Sequence, residues 1–245
     1  MPADLNNLRV VLVAPRNPLN IGAAARAMSN FGCSHLRLVN PYKVAFREAR
    51  SAVGAGKLLA AAKEYPGVRE AVADCSLVVG TTAVRHRELH HPLRRLEIGA
   101  RRIKRKLAST RVALLFGPEK TGLSNEDLSH CHWLMHILTR PEHISMNLGQ
   151  AVAVCLYELA RSAKVKPERA TTQPAASAAL DRISDSLFDA LQISGYIKPK
   201  LTASAEVKVR RMVRRLNLSA EDAETLLGML RQIRWKLHSE GGQKT

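Results

Sequence analysis

Residues 111–157 read RVALLFGPEKTGLSNEDLSHCHWLMHILTRPEHISMNLGQAVAVCLY. Val112–Phe116 is a short apolar run of the kind a buried strand needs. It ends at Gly117-Pro118-Glu119-Lys120-Thr121-Gly122, which cannot continue a strand, because Pro118 has no N–H to donate and the flanking glycines punctuate the chain. Ser124 and Asn125 offer helix N-caps ahead of Glu126 and Asp127. Trp133–Leu138 is a second apolar run, cut by Arg140-Pro141. Asn147–Ala160 carries apolar residues at helical spacing. Two buried strands therefore run into polar loops, Gly117–Gly122 and Thr139–Asn147, and ligands of open α/β sheets sit at such carboxyl ends.

Outward from this stretch, strands and helices alternate. Leu8–Ala14, Leu36–Val39, Ala60–Lys63 and Ser76–Thr81 read as strands. Asn20–Phe31, with Gly22, Ala23, Ala24, Ala25 and Ala27 near its start, reads as a helix, as do Arg47–Val53, Val68–Cys75 and Leu96–Leu107. Residues 82–95 read as an irregular basic loop. Alternation without hairpin turn signals implies an α/β fold with a mainly parallel sheet flanked by helices. Residues 162–180 are rich in proline and small residues and read as a linker. Helical patterns follow at Asp181–Ile193, Thr202–Leu216 and Ser219–Leu237, the last opened by a Ser219/Asp222 capping pattern. The expected organisation is a domain over 1–163, a linker over 164–180 and a small helical extension over 181–245.

The 245 residues carry a formal net charge of +17. Residues 1–160 supply +10 of it and residues 161–245 supply +7, so the excess is not a detachable tail. A folded chain this basic implies a polyanionic partner. Aromatics make up only 4% of the chain, which disfavours a stacking platform for single strands. No apolar run approaches the roughly 18 residues of a membrane helix, and MPADLNN has no secretory pattern. The scattered Cys33, Cys75, Cys131 and Cys155 sit in apolar contexts and read as reduced core thiols of a cytoplasmic protein.

Several chemistries are excluded by what is missing. Gly117 and Gly122 have the spacing of a phosphate-binding loop, but Leu123-Ser124 stands where the phosphate-holding Lys-Ser/Thr must be. No strand is followed by the dinucleotide fingerprint G-x-G-x-x-G. His132 and His136 fall on one strand face, yet no Cys-x-x-Cys or His-Glu-x-x-His accompanies them, so no metal is expected and histidines at the edge of the core are the plainer reading. No serine sits in a G-x-S-x-G elbow.

Three stretches remain: Asn20-Ile21-Gly22-Ala23-Ala24-Ala25-Arg26, Leu115-Phe116-Gly117-Pro118-Glu119-Lys120-Thr121-Gly122-Leu123, and Ile144-Ser145-Met146-Asn147-Leu148-Gly149-Gln150-Ala151. In order and spacing they resemble the three signature motifs of the SPOUT class of RNA methyltransferases, in the branch that methylates ribose 2′-hydroxyls, nearest to members that act on tRNA. Each motif alone is weak, whereas all three in order in a basic α/β chain are specific. The resemblance covers about residues 1–160 well, and the helical tail more loosely. Ser145-Met146-Asn147 departs from the family's usual Ser-Leu-Asn by one apolar exchange. The segment after Thr81-Thr82-Ala83 is one residue longer, which leaves both Arg85 and Arg87 as candidates for a family arginine.

The resemblance implies a deep trefoil knot at the end of the domain, an exception to the near absence of knots. It implies S-adenosylmethionine held in that knot and an active site completed across a homodimer interface. Cofactor contacts are expected at Thr81, Thr82, Ala83, Gly117, Ile137, Ile144, Ser145 and Met146. Arg26, Asn20, Glu119, Ser145 and Asn147 are the expected catalytic set. A guanidinium is a poor base, so Arg26 is expected to grip the target phosphate and steady the developing alkoxide, the proton leaving to water or a neighbouring group. A surface helix arginine is the plainer alternative for Arg26, and an N-cap for Asn20 and Asn147. Arg85, Arg87, Arg94, Arg95, Arg101 and Arg102, with Lys104, Arg105 and Lys106, and in the tail Lys208, Arg210, Arg211, Arg214 and Arg215, are expected to meet RNA phosphates. The target implied is the 5′-edge nucleotide of the anticodon loop. The competing readings are a ribosomal RNA 2′-O-methyltransferase and a knotted RNA-binding protein without catalysis. The intact set from Asn20 to Asn147 argues against the latter.

Overall fold

The computed structural model describes residues 5–42, 54–83, 90–161, 172–198 and 202–241. Arg85, Arg87 and the helix expected at Arg47–Val53 lie outside them. The chain divides into two compact units, 1–169 and 170–245.

Unit one is a seven-stranded sheet in which every pairing is parallel. The strands are β1 (Leu8–Val13), β2 (Leu36–Val39), β3 (Lys63–Tyr65), β4 (Leu77–Thr81), β5 (Leu93–Arg95), β6 (Val112–Phe116) and β7 (Trp133–His136), in the order β3-β2-β1-β6-β4-β7-β5. Continuous apolar runs such as LRVVLV and VALLF suit this arrangement, because a parallel sheet is covered on both faces. Val10, Leu12, Leu114 and Phe116 face one layer, formed by α1 (Pro18–Asn30), α4 (Leu96–Leu107) and α6 (Leu148–Ala160). Val11, Val13, Ala113 and Leu115 face the other, with α3 (Val68–Ala71) and α5 (Asn125–Ser129). The small residues at the start of α1 let α6 pack closely. A Cβ added at Gly149 would stand 2.5 Å from Ala23 Cβ.

Boundaries differ from the sequence expectations where tertiary pairing decides. Residues Gly56–Ala60 form a short helix, α2, and the edge strand shifts to Lys63–Tyr65, paired with β2. Leu93–Arg95, expected in a loop, pairs with β7. The helix expected over Val68–Cys75 stops at Ala71, where Arg37 reaches in.

Unit two packs α7 (Ser177–Ile193), α8 (Thr202–Arg215) and α9 (Ala220–Gly241) around Leu180, Ile183, Val209, Val213 and Leu230. The expected linker ends earlier than residue 180. Pro174 bridges Ser219, Ala175 N donates to Leu218 O at 3.0 Å, and α7 begins at Ser177. Ser219 caps α9 through the Asp222 N–H at 3.0 Å.

The cysteines are free and buried. Burial pushes the Cys33 thiol up to about 11 and those of Cys75 and Cys155 up to about 12, so none of these three is a ready nucleophile. His132 is buried, and its Nδ1 accepts the Val78 N–H at 3.1 Å, tying the start of β7 to β4.

A charged clamp closes the β1–β2 side of unit one. Arg37 donates to both carboxylate oxygens of Asp74, at 2.6 and 2.9 Å, and to Ala71 O at 2.7 Å. Arg111 adds a third contact to Asp74 at 3.2 Å. Hydrogen bonds from Arg37 hold the Asp74 carboxyl well below the usual aspartate range, overriding burial. Because the folded-state value lies below the unfolded one, the clamp stabilises fully above about pH 4 and weakens as pH falls. Asp74→Asn should therefore cost about 1–2 kcal/mol near neutral pH. Denaturant titrations at several pH values should show that cost shrinking as the solution is acidified. A cost independent of pH would contradict the assignment.

Candidate active site

The carboxyl ends of β4, β6 and β7, adjacent in the sheet, open onto one cleft of about 230 Å³. Three loops build it. The first leaves β6 at Gly117 and doubles back: Gly122 N donates to Pro118 O at 2.8 Å, and Gly122 takes φ +67°. Gly117 lies against the main chain of Gly122 and Leu123. An added Cβ would collide with Leu123 N and Gly122 C and approach Gly122 Cα at 2.9 Å. The loop ends in a capping box, in which Ser124 Oγ accepts the Asp127 N–H and Asp127 Oδ2 accepts the Ser124 N–H. The second loop leaves β4. Thr81 Oγ1 donates to Leu115 O at 2.8 Å and Thr82 N donates to Met135 O at 3.0 Å, which pins this end between β6 and β7. The third runs from Ile137 through a 3₁₀ turn at Pro141–His143 to Asn147, the N-cap of α6.

All of Thr81, Thr82, Ala83, Gly117, Ile137, Ile144, Ser145 and Met146 line this cleft. Sequence reasoning missed Leu123, Met135, Thr139, Leu148 and Ala151, which line it too. Their only signal was adjacency: each lies in or beside a motif loop or a strand end, and apolar side chains there look like core.

At the cleft, Asn20, Glu119 and Asn147 form a hydrogen-bonded chain. Asn147 Oδ1 accepts the N–H groups of Gly149 and Gln150 at 2.9 and 3.3 Å. Asn147 Nδ2 donates to Asn20 Oδ1 at 2.8 Å, and Asn20 Nδ2 donates to Glu119 Oε1 at 2.6 Å. Asn20 is not the N-cap of α1. That place belongs to Asn17, which accepts the Leu19 N–H, and leaves Asn20 to bridge two loops. Asn147 is both a cap and a link. Glu119 lines the cleft and holds Asn20.

Arg26 stands apart. It is exposed and lies against Gly54, where an added Cβ would come within 2.7 Å of its Nη1. Six residues along an α-helix turn it about 120° from Asn20, and it does not line the cleft.

The basic candidates divide. Arg101 and Arg102 are exposed on α4. Arg95 pairs with Glu97 at 2.9 Å, and Arg94 lies over the Trp133 ring at 5.7 Å. Lys104 donates to Arg161 O at the end of α6. In unit two, Lys208, Arg211 and Arg215 are at least partly exposed. Arg214 and Arg210 correct the expectation. Arg214 is fully buried in an ion pair with Asp181 at 2.8 Å, and Arg210 is buried beside Glu206 at 2.6 Å. Arg214 joins α8 to α7, Arg210 pairs within α8, and neither faces solvent.

The cleft fits S-adenosylmethionine. The close approach at Gly117 shapes it, and Leu123, Met135, Ile137, Ile144 and Leu148 offer apolar walls for an adenine ring. Thr81, Thr82, Thr139 and loop backbone supply polar contacts, and the Glu119 carboxylate suits the positive charge of a sulfonium.

With this geometry, the comparisons with known proteins agree. Residues 7–157 match the SpoU rRNA Methylase family, and the chain belongs to that family of S-adenosylmethionine-dependent RNA methyltransferases. Over most of its length it is similar to proteins called tRNA (cytidine/uridine-2′-O-)-methyltransferase TrmJ. The Sodalis glossinidius protein is 37% identical, with 94% of this chain and 92% of that one covered. The Klebsiella pneumoniae protein is 36% identical, with 94% and 97% covered. The crystal structure of TrmJ from Z. mobilis ZM4 superposes with a TM-score of 0.81 at 32% identity, covering 92% of this chain and 98% of that one.

Gly117→Val should lower S-adenosylmethionine affinity at least about 100-fold by calorimetry, because the side chain must displace the backbone at Gly122 and Leu123, a change of about 2.7 kcal/mol or more. Far-ultraviolet circular dichroism should stay unchanged. Retained affinity would show that the Gly117 turn does not shape the cofactor cleft.

Proposed function

We propose that this protein transfers a methyl group from S-adenosylmethionine to a ribose 2′-hydroxyl of tRNA, at the 5′-edge nucleotide of the anticodon loop. The observation that carries this reading is the convergence of three strand-end loops into one cleft, with Asn20, Glu119 and Asn147 linked at it. The similarity to TrmJ proteins across both units favours tRNA over ribosomal RNA. The similarity to tRNA-modifying TrmJ proteins supports action in the cytoplasm. No helix among the described residues is long and apolar enough to cross a membrane.

Bound in the cleft, S-adenosylmethionine supplies an activated methyl group. The chain's own groups do the rest. The loop backbones and Thr81, Thr82 and Met146 orient the donor, Ser145 at the open edge contacts the ribose, and the apolar walls exclude water from the reacting centre. Arg26 binds the phosphate of the target nucleotide and offsets the charge that grows on its 2′-oxygen. Its position away from the cleft of its own chain supports a homodimer in which a second copy completes the site. The knotted path implied by the resemblance to the SPOUT class is supported by the match to the SpoU family. Arg101 and Arg102, and Lys208, Arg211 and Arg215, bind phosphates away from the reacting ribose.

Incubation of the protein with total tRNA and, separately, with ribosomal RNA, each with labelled S-adenosylmethionine, followed by mapping of the methylated ribose, tests the substrate and position together. Methylation of ribosomal RNA alone would overturn the reading. Arg26→Ala should reduce turnover on saturating tRNA at least about 100-fold while leaving S-adenosylmethionine affinity unchanged. Near-normal turnover would remove Arg26 from the site. A chain ending at Arg161 keeps the cleft and should still bind S-adenosylmethionine. It should lose tRNA affinity, and its log–log salt dependence should flatten by up to about three units, one for each of Lys208, Arg211 and Arg215. A flattening of about five would mean that Arg210 and Arg214 also meet phosphate.

A further inference from the structure

The hydrogen-bonded chain at the cleft has a direction, and the direction is fixed from outside it. Asn147 Oδ1 faces two backbone N–H groups at the start of α6, so it must be the oxygen. Asn147 therefore turns its NH₂ to Asn20, Asn20 presents its oxygen to Asn147 and its NH₂ to Glu119, and Glu119 must accept. Glu119 Oε2 has no hydrogen-bond partner among the described residues. Glu119 is the only carboxylate among the described residues lining the cleft, and Arg26, which cannot take a proton, is not among them.

We infer that Glu119 is the proton acceptor for the ribose hydroxyl, and that Asn147 and Asn20 are positioning residues that hold and aim its carboxylate. This deepens the function proposed above and rests on it. As the ribose oxygen attacks, one of its electron pairs forms the new O–CH₃ bond, and the pair of its breaking O–H bond stays on the oxygen. The electron pair of the broken S–CH₃ bond stays on sulfur, which turns from sulfonium to neutral thioether. The proton passes to Glu119 Oε2 and leaves to water once the product departs.

The direction of the chain allows a test that separates chemistry from scaffolding. Glu119→Gln places an NH₂ or a non-ionised oxygen against Asn20. Asn147→Asp keeps the cap of α6 but loses the donor to Asn20. Combined, the two changes let the Asn20 amide turn over. The new carboxylate at position 147 then accepts from Asn20 Nδ2, and the new amide at position 119 donates to Asn20 Oδ1, so all bonds are restored in the opposite sense. Three readouts apply, namely S-adenosylmethionine affinity by calorimetry, thermal midpoint, and turnover on tRNA across pH. Glu119→Gln should lower kcat at least about 100-fold. Its residual rate should rise with pH where the wild-type rate is level, since solvent hydroxide then removes the proton. Asn147→Asp alone should lower the midpoint and the cofactor affinity, because two oxygens then oppose each other. The double variant should regain the wild-type midpoint and affinity, within about threefold, yet keep the turnover defect. Recovery of turnover in the double variant would overturn the inference, because a neutral amide would then suffice at position 119. So would Glu119→Gln with a wild-type pH profile. A double variant that fails to regain midpoint and affinity would overturn the direction assigned to the chain. Wild-type methylation of tRNA tests the proposed function independently of every variant.

Discussion

The active cleft depends on one close approach. At Gly117 the chain leaves β6 and returns at once, so that the main chain of Gly122 and Leu123 occupies the space where a side chain would stand. Nothing larger than a hydrogen fits. The loop can then be tight enough to bring Pro118–Lys120 beside the ends of β4 and β7. Gly122 permits the return by adopting a left-handed backbone that L side chains rarely take. Glu119 sits between the two glycines, so the turn sets its backbone position and Asn20 Nδ2 then holds its carboxylate.

The second constraint is the junction of α1 and α6. Gly149 lies on Ala23 at a distance that leaves no room for a methyl group, so the two helices meet closely. Their first turns bring Asn20 and Asn147 within hydrogen-bonding distance across 127 residues of sequence. Packing in the core thus sets the chemistry at the rim. The same division of labour holds in the tail, where the buried Arg214–Asp181 pair ties α8 to α7 and leaves other cations outside. A buried arginine without its carboxylate would be costly, so its charge serves the fold and is not offered to a partner.

Much of the fold was legible. β1, β6 and α4 read directly because their apolar patterns were long and unambiguous. The caps at Ser124, Asn147 and Ser219 read directly because capping is local chemistry between a side chain and the next turn. β5 and β3 did not, since a three-residue edge strand is stabilised by its neighbour and carries little pattern of its own. The linker was over-extended because Pro174 and Ala175 resemble linker residues, and only their pairing with Leu218 and Ser219 makes them structure.

The linear chain already carried the class of the fold and the two loops after β6 and β7, because spacing and glycine placement can be read residue by residue, while the resemblance supplied Thr81–Ala83. The linear chain also determined the total charge. Only the tertiary structure decided which charges face outward, since Arg210 and Arg214 are indistinguishable from Arg211 and Arg215 until three helices pack. Only the tertiary structure decided that Asn20 links Glu119 to Asn147 while Arg26 points away, because those partners lie on three separate segments. The direction of that chain of hydrogen bonds comes from the exposed N–H groups at the start of α6, and a helix end acquires such neighbours only when the chain has folded around it.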